Sequence, residues 1–429
     1  MKVYLTFIGC KLNLAEIEEL GRQLRGAGAR LVEAPEEADL CVFNSCTVTA
    51  TAAGKSRRKV RQLLRRAPTA QIMVTGCHAT EAPGELRGLS PRVRVVDNEG
   101  KEGIATWVNA HMGARRQPAE PASCGASEPP ALRTRAFIKI QDGCNNACTY
   151  CVVRLARGPQ RSRPPEAVLE DVRQRVREGY REVVLTGVHV GAYGQDLGTD
   201  LVFLLRELLA ETGVQRLRLS SIEPHDLTPA LLDLWEDPRL CPHLHLPLQS
   251  GCDATLRRMG RRYTAGEFGA QVAAAREAIP DLAVTTDVIV GFPGETDEEF
   301  AQTLRFVRGL GLARVHIFPF SPRPGTPAAD MPNQVPLPVI RERCQALTAV
   351  ALESGRQFVR RFLGREMDVL FEQCVGPARG DATWSGLTGN YLRVRATSRE
   401  DLHNQVRRVR LLGMLDGNLV AGAIRAVAR

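Results

Sequence analysis

Long apolar runs are missing from this chain of 429 residues. No stretch approaches the ~20 consecutive apolar residues that a helix needs to cross a bilayer, so the sequence predicts no membrane span. Aromatic residues are also few, at 5%, but 44% of residues are hydrophobic and 24% are charged. These ordinary proportions exclude a disordered or collagen-like chain and leave room for about three globular domains.

Acidic residues number 48 against 57 basic ones, which gives a net charge of +9. An excess of this size favours a polyanionic partner, although proteins without such a partner carry it too.

Twelve cysteines are too few for a disulfide scaffold in a chain of this length. The apolar stretch before Cys10 is too short for a secretory signal, and Phe7 and Ile8 are not the small residues of a cleavage site. We therefore expect a cytoplasmic, reduced protein in which clustered cysteines bind metal or take part in catalysis.

Strand-like and helix-like segments alternate over residues 1–112. The predicted strands are Lys2–Ile8, Leu40–Phe43 and Ile72–Thr75, and the predicted helices are Leu14–Leu24 and Ala50–Arg66. This pattern is typical of a doubly wound parallel α/β domain. Residues 113–134 lose the periodicity and are rich in proline, alanine, serine, glycine and arginine, which indicates a linker.

Six further strands alternate with amphipathic helices over residues 135–362. The predicted strands are Ala136–Gln141, Glu182–Thr186, Arg216–Ile222, His243–Leu248, Val284–Val290 and Arg314–Phe320. Six strands are too few for a full eight-stranded barrel, so we expect a partial (β/α)6 barrel. Short β-like segments with glycine turns over residues 363–429 predict a small antiparallel β-barrel.

The sharpest motif is a C-x3-C-x2-C loop that directly follows the first strand of the second domain and contains Cys144, Cys148 and Cys151. Three thiolates in one loop suit a [4Fe–4S] cluster with one iron left open. A structural zinc knuckle is the alternative, but zinc needs a fourth ligand, and no histidine lies between His111 and His189.

This spacing resembles the signature of the radical S-adenosylmethionine (SAM) superfamily. The resemblance implies that the open iron binds the amino and carboxylate groups of SAM, and that one-electron reduction releases a 5′-deoxyadenosyl radical.

Three more cysteines, Cys10, Cys46 and Cys77, each follow a predicted strand of the first domain. Because the carboxyl ends of parallel strands meet at one edge of a sheet, these residues can be neighbours in space. They could instead be ordinary buried small residues. Their sequence contexts resemble the N-terminal domain of the methylthiotransferase family, and this implies that they hold an auxiliary [4Fe–4S] cluster.

Polar residues and glycines follow successive strands of the predicted barrel, whose carboxyl ends face one mouth. Each is commonly just a turn, but as an ordered set they resemble the methylthiotransferase core. The resemblance implies SAM contacts from Thr186, Gly187, Ser221, Glu223, Gln249 and Asp287.

Basic residues are concentrated in two segments. Lys55–Arg66 contains seven basic and no acidic residues, and the C-terminal segment resembles a TRAM RNA-binding domain. An Arg-rich loop also follows the C-x3-C-x2-C motif, although Arg154 and Gln160 depart there from the proline and glutamate common in the family. Solvated faces are the alternative, but charge and a few aromatics suit RNA. The predicted RNA contacts are Lys55, Arg57, Arg58, Lys59, Arg157, Arg161, Arg163, Tyr391 and Arg393.

The resemblance covers nearly the whole chain and implies an enzyme that puts a methylthio group on carbon 2 of a modified adenosine next to the tRNA anticodon. One SAM would methylate a sulfur at the auxiliary cluster, and a second would generate the radical. Residues around Cys10 and Cys46 resemble enzymes that act on N6-threonylcarbamoyladenosine. The alternatives are the isopentenyladenosine branch and the branch that modifies an aspartate of a ribosomal protein. The alternative from another functional class is a non-catalytic RNA-binding protein whose metal clusters are only structural.

The expected partners are the tRNA anticodon stem-loop and a flavodoxin or ferredoxin-type reductant. We expect a monomer with no membrane association.

Overall fold

A computed structural model describes residues 1–113, 134–376 and 381–424. The described residues form two compact units. The first comprises residues 1–113, 142–161 and 321–329, and the second comprises 134–141, 162–320, 330–376 and 381–424. The predicted linker, apart from residues 113 and 134, and Cys124 within it lie outside the described residues.

The first unit is built on a parallel sheet of five strands with the order β2-β1-β3-β4-β5. Its strands are β1 Lys2–Phe7, β2 Arg30–Val32, β3 Leu40–Ser45, β4 Gln71–Gly76 and β5 Val93–Val95. Its helices are α1 Lys11–Gly26, α2 Ala50–Arg66, α3 Cys77–Glu81, α4 Pro83–Arg87, α5 Gly103–Gly113 and α6 Val153–Arg157. Every residue of β3 is buried, as expected for a central strand of a parallel sheet that is covered on both faces. The predicted doubly wound fold is confirmed.

The second unit contains six parallel strands in two three-stranded sheets, β10-β9-β6 and β11-β12-β13. The strands are β6 Arg135–Lys139, β9 Glu182–Thr186, β10 Arg216–Leu219, β11 His243–His245, β12 Ala283–Val290 and β13 Arg314–Pro319. Two further strands of two residues each, β7 Gln141–Asp142 and β8 Arg161–Ser162, pair with each other. Isolated parallel bridges, such as the one between Ser221 and His245, join β10 to β11. This arrangement confirms the predicted partial barrel.

Helices connect these strands and continue the second unit beyond β13. They are α7 Pro165–Arg177, α8 Leu201–Glu211, α9 Pro229–Leu232, α10 Asp253–Arg258, α11 Ala265–Ala278, α12 Asp297–Gly309 and α13 Leu337–Arg360. Both α11 and α12 begin with a capping box, formed by Thr264 with Glu267 and by Thr296 with Glu299. These boxes fix where each helix starts because they satisfy backbone donors that the first turn leaves free.

The C-terminal segment closes into a five-stranded barrel with the order β14-β15-β16-β18-β17. Its strands are β14 Glu366–Cys374, β15 Ala382–Thr388, β16 Arg393–Ser398, β17 Val406–Met414 and β18 Leu419–Ile424. One pair departs from the predicted antiparallel pattern, since β16 and β18 run parallel. A closed ring with an odd number of strands cannot alternate direction all the way round, so one parallel pair is unavoidable.

A buried ionic network lies at the amino ends of β9 and β10. Glu182 is fully buried and accepts from Arg216 at 2.8 Å and from Arg218 at 2.7 Å. Arg218 also donates to the carbonyl of Gly389 at 2.7 Å, and this contact ties the C-terminal barrel to the strands. Although burial by itself would raise the pKa of Glu182, the two arginines lower it to about 2.

Candidate cluster sites and barrel mouth

Cys10, Cys46 and Cys77 follow three neighbouring strands of the first unit. Cys10 precedes α1, Cys46 comes directly after β3, and Cys77 is the first residue of α3. Because β1, β3 and β4 are adjacent and parallel, their carboxyl ends bring the three residues to one edge of the sheet. Burial raises the pKa of the Cys46 thiol to about 11, and the Cys77 and Cys10 sulfurs contribute to the rise. The structure therefore brings these three cysteines together at one edge of the sheet, as the sequence predicted.

Two glycines make room for this cysteine trio. Gly9 has φ = +114°, and a Cβ there would lie 2.9 Å from Cys46 Sγ. Gly76 has φ = +93°, and its Cβ would lie 2.3 Å from Asn44 Oδ1. Only glycine adopts these conformations without strain and also allows so close an approach. The space that these two glycines leave is here called the cradle. The cradle, the three sulfurs and the Arg157 guanidinium, 3.2 Å from Cys77 Sγ, fit an iron–sulfur cluster with three protein ligands.

Cys144, Cys148 and Cys151 occupy a single loop of the same unit. The Cys151 amide donates to the Cys148 carbonyl at 3.1 Å, and the Cys144 amide donates to the Gly158 carbonyl at 3.2 Å. Gly143, with φ = +67°, allows the loop to pass the Pro159 carbonyl, which a Cβ would approach to 1.9 Å. Burial raises the pKa of Cys151 to about 12, and the Cys148 and Cys144 sulfurs add to the effect. Three clustered thiols with no protein fourth ligand in the loop fit a cluster with an open iron.

Arg157 lies at the end of α6, only 5% exposed. Its guanidinium donates to Cys77 Sγ at 3.2 Å, to Glu16 and Asp142 at 2.9 Å each, and to Asn13 at 2.7 Å. This burial does not fit the predicted contact with RNA, because the guanidinium is enclosed by protein groups.

A second buried arginine, Arg323, was missed by sequence reasoning. It is 7% exposed, and it donates to the Thr47 hydroxyl and to both carboxylate oxygens of Glu81. Thr47 follows Cys46, and Glu81 ends the helix that Cys77 begins. Pro322 and Pro324 flank Arg323 in the sequence, so no helix or strand periodicity distinguishes this arginine.

The predicted SAM contacts lie along the carboxyl ends of the strands in the second unit. Thr186 is buried at the end of β9, and Gly187 passes so close to Gln141 that a Cβ would lie 2.9 Å from its Oε1. Gln141 Oε1 in turn accepts from the amides of Val188 and His189. The glycine at this position is thus required for the close packing of β9 against the segment after β6.

The remaining predicted SAM contacts follow β10 and β11, except Asp287, which lies within β12. Gln249 has φ = +66°, and its amide donates to the Asp287 carbonyl at 2.8 Å. The Asp287 carboxylate lies 3.3 Å from Nε2 of His245, whose neighbour across the bridge is Ser221. Glu223 forms an ion pair with Arg261, so a cation already holds its carboxylate. The geometry collects Ser221, Gln249 and Asp287 in one place, together with His245, which sequence reasoning did not single out.

Some of the predicted RNA contacts are exposed, whereas others are paired or packed within the protein. Lys55 and Arg58 are exposed on α2, as are Arg61 and Arg65 of the same helix. Within α2, Arg57 is paired with Glu85 at 2.8 Å, and burial, aided by Arg66, lowers the pKa of the half-buried Lys59.

In the Arg-rich loop, Arg161 is exposed and Arg163 is paired with Asp171 at 2.7 Å. In the C-terminal barrel, Arg393 is exposed and donates to Ser385. Tyr391 faces inward instead, since its ring lies 4.0 Å from the Arg218 guanidinium and 4.4 Å from the His243 ring. These contacts favour a packing role for Tyr391.

The parallel partial barrel and the cysteine loop define a radical SAM protein. Residues 138–307 match the Radical SAM superfamily model, and residues 2–97 match the model described as Uncharacterized protein family UPF0004. A methyltransferase from Kitasatospora setae, TsrM, has a similar fold, with a TM-score of 0.56 at 16% identity over 76% of this chain and 74% of that chain.

Relatives of known name are closer in sequence. The threonylcarbamoyladenosine tRNA methylthiotransferase MtaB of Bacillus subtilis is 37% identical over 94% of this chain and 92% of its own. The tRNA-2-methylthio-N(6)-dimethylallyladenosine synthase of Thermobifida fusca is 38% identical over 89% of this chain and 79% of its own. The chain belongs to the family of tRNA methylthiotransferases, enzymes that use SAM and [4Fe–4S] clusters. Among its described residues, no helix is long and apolar enough to cross a bilayer.

Proposed function

We propose that this protein attaches a methylthio group to carbon 2 of N6-threonylcarbamoyladenosine, next to the anticodon of tRNA. The observation that carries the proposal is the pair of thiol trios in one unit, in a chain whose Bacillus subtilis relative is named for that nucleoside. The 5′-deoxyadenosyl radical from SAM would take the hydrogen atom from carbon 2 and become 5′-deoxyadenosine, and the methylthio group would take the place of that hydrogen.

Each trio has its own role in this proposal. Cys144, Cys148 and Cys151 would hold the cluster that binds SAM at its open iron and supplies the electron for its cleavage. Cys10, Cys46 and Cys77 would hold the auxiliary cluster, at which the sulfur is delivered. Thr186, Gly187, Ser221, Glu223, Gln249 and Asp287 would line the SAM side of the barrel mouth, where Gly187 keeps backbone groups accessible.

The exposed cations on α2 and on the C-terminal barrel support an RNA substrate. Lys55, Arg58, Arg61 and Arg65 recur every three or four residues and therefore share one face of α2. Such a face suits the phosphates of an anticodon stem-loop. A flavodoxin or ferredoxin-type protein would supply electrons to a monomeric, cytoplasmic enzyme, since accessible thiol clusters need a reduced compartment.

The test uses anaerobically reconstituted, reduced protein with SAM and an anticodon stem-loop that carries N6-threonylcarbamoyladenosine. We expect the methylthio nucleoside and 5′-deoxyadenosine, with about eight irons per chain from two clusters. Cys148→Ala should abolish both products. Cys46→Ala should spare SAM cleavage but abolish the methylthio nucleoside. Cys374→Ala, an exposed cysteine outside both trios, should change neither.

The same assay separates the alternatives. The Thermobifida fusca relative named for a dimethylallyladenosine product favours a parallel reaction with an isopentenyladenosine stem-loop. Methylthiolation of that RNA alone, or of a ribosomal protein alone, would contradict the proposed substrate. Absence of SAM cleavage in protein that carries eight irons would indicate a non-catalytic RNA-binding protein.

A further inference from the structure

Arg157 connects three segments of the first unit that each adjoin a cysteine of the two trios. Its Nε–H points at Cys77 Sγ, 3.2 Å away. Its Nη2 donates to Asn13, three residues after Cys10, and its Nη1 donates to Asp142, two residues before Cys144. The helix that ends at Arg157 begins two residues after Cys151.

The charge of Arg157 is balanced inside the protein. Glu16 and Asp142 are both ion-paired with it at 2.9 Å, and the side chains of Arg157 and Glu16 are almost fully buried. Lys101 adds a second cation at 2.6 Å from Glu16. Because the guanidinium fork is planar and held at several points, its Nε–H has a fixed direction toward the sulfur.

A hydrogen bond to a cluster sulfur is one of the factors that set the reduction potential of an iron–sulfur cluster. Reduction adds a negative charge, and a donor that is itself cationic stabilises that charge more strongly than a neutral donor does. Low exposure to solvent increases the effect, because water does not screen the interaction.

We propose that Arg157 is a positioning residue that raises the reduction potential of the auxiliary cluster through its Nε–H bond to the Cys77 sulfur. This inference rests on the proposed function, in which Cys77 is a ligand of that cluster. Arg157 thereby makes the auxiliary cluster easier to reduce than a cluster with the same three cysteines and no such donor.

The test measures the auxiliary cluster alone. A parent variant, C144A/C148A/C151A, removes the other trio and should retain about four irons per chain. EPR-monitored potentiometric titration of the parent is then compared with the same variant carrying R157Q. We expect R157Q to shift the midpoint to a more negative potential and to change the EPR line shape, at unchanged iron content.

R157K and R343Q are the accompanying variants. R157K keeps the charge but loses the rigid fork, so its midpoint should fall between those of the parent and R157Q. Arg343 is also buried and paired with two carboxylates, Glu295 and Asp297, and its hydrogen bonds within the described residues go to these two residues and not to a sulfur. R343Q therefore controls for the cost of leaving a buried carboxylate, that of Glu295, without a cation, and it should leave the midpoint unchanged.

The outcomes distinguish this proposal from the one on which it rests. A parent variant that holds no iron would contradict the assignment of Cys10, Cys46 and Cys77 as ligands. An unchanged midpoint in R157Q protein that holds four irons would overturn the role of Arg157 alone. Loss of the cluster in both R157Q and R157K, with R343Q loaded normally, would also overturn it and leave Arg157 a purely structural role.

Discussion

Arg323 and Glu81 form a buried ion pair in which Arg323 Nη2 lies 2.7 Å from Oε1 and 2.6 Å from Oε2 of the carboxylate. The same nitrogen also donates to the Thr47 hydroxyl, which in turn donates to Glu81. The pair therefore braces the segment after Cys46 against the helix that begins at Cys77.

Replacing Arg323 should loosen the auxiliary site and leave the other trio intact. In R323Q, Glu81 loses its cation, which for a buried pair costs about 3–5 kcal/mol. We expect the iron content to fall toward about four atoms per chain, which corresponds to one cluster, and methylthio transfer to be lost. SAM cleavage to 5′-deoxyadenosine should persist, and Arg177→Gln, an exposed arginine on α7, serves as control. Equal loss of both activities would contradict this division.

Gly9→Ala should also affect the auxiliary trio, for a steric reason. Its Cβ would meet Cys46 Cβ at 2.8 Å, and Ala at a positive φ is strained as well. The matched control is Gly179→Ala, since Gly179 has φ = +87° with nothing within 4 Å of a Cβ. Both variants should lose about 1 kcal/mol through the backbone, but only Gly9→Ala should lose iron. Full iron loading of Gly9→Ala would contradict the steric role that we assign to Gly9.

Glu182→Gln should destabilise the second unit, because it leaves Arg216 and Arg218 buried without an anion. The expected loss is about 3–5 kcal/mol at pH 7, measured by urea denaturation. The folded pKa of about 2 is below the ordinary 4.5, so the Glu182 charge stabilises the fold above about pH 4.5 and loses that effect as the pH falls through about 2. The difference between variant and parent should accordingly shrink on acidification. A difference that does not depend on pH would mean that packing, and not charge, is responsible.

The exposed face of α2 can be tested by salt dependence. The triple variant R58A/R61A/R65A should weaken binding of the anticodon stem-loop and reduce the slope of log K against log salt by about one unit per lost phosphate contact. R305A/R356A removes exposed arginines that have acidic partners, Glu298 and Glu353, and should leave the slope unchanged. Equal slopes in all three proteins would exclude α2 from the RNA interface.

Local patterns in the sequence predicted most of the fold. Ala50–Arg66 is a helix with the predicted ends, since caps and apolar spacing act within a few residues. Strand ends were less accurate. The segment predicted as Arg216–Ile222 stops at Leu219 as a strand, because ladder pairing with a neighbour decides where a strand ends.

The two cysteine trios show which parts of the site could be predicted from local sequence patterns. A tight loop predicts Cys144, Cys148 and Cys151 as a group by spacing alone. Cys10, Cys46 and Cys77 were predicted to be neighbours because parallel strands share one edge, and to be cluster ligands because their sequence contexts resemble the methylthiotransferase family. Arg157 was assigned to RNA because its neighbours in sequence are basic, whereas its neighbours in space are Glu16, Asp142 and Cys77.

By itself the sequence determined most of the strands and helices and the thiol chemistry, because these depend on residue type and short spacing, and its resemblance to a known family implied the class of enzyme. Tertiary structure alone decided which charges are enclosed. Arg157, Arg323 and Glu182 meet their partners across 15 to 276 positions of chain, and no periodic pattern predicts such pairings. The physical reason is that burial makes an ion pair necessary, and burial is a property of the folded chain.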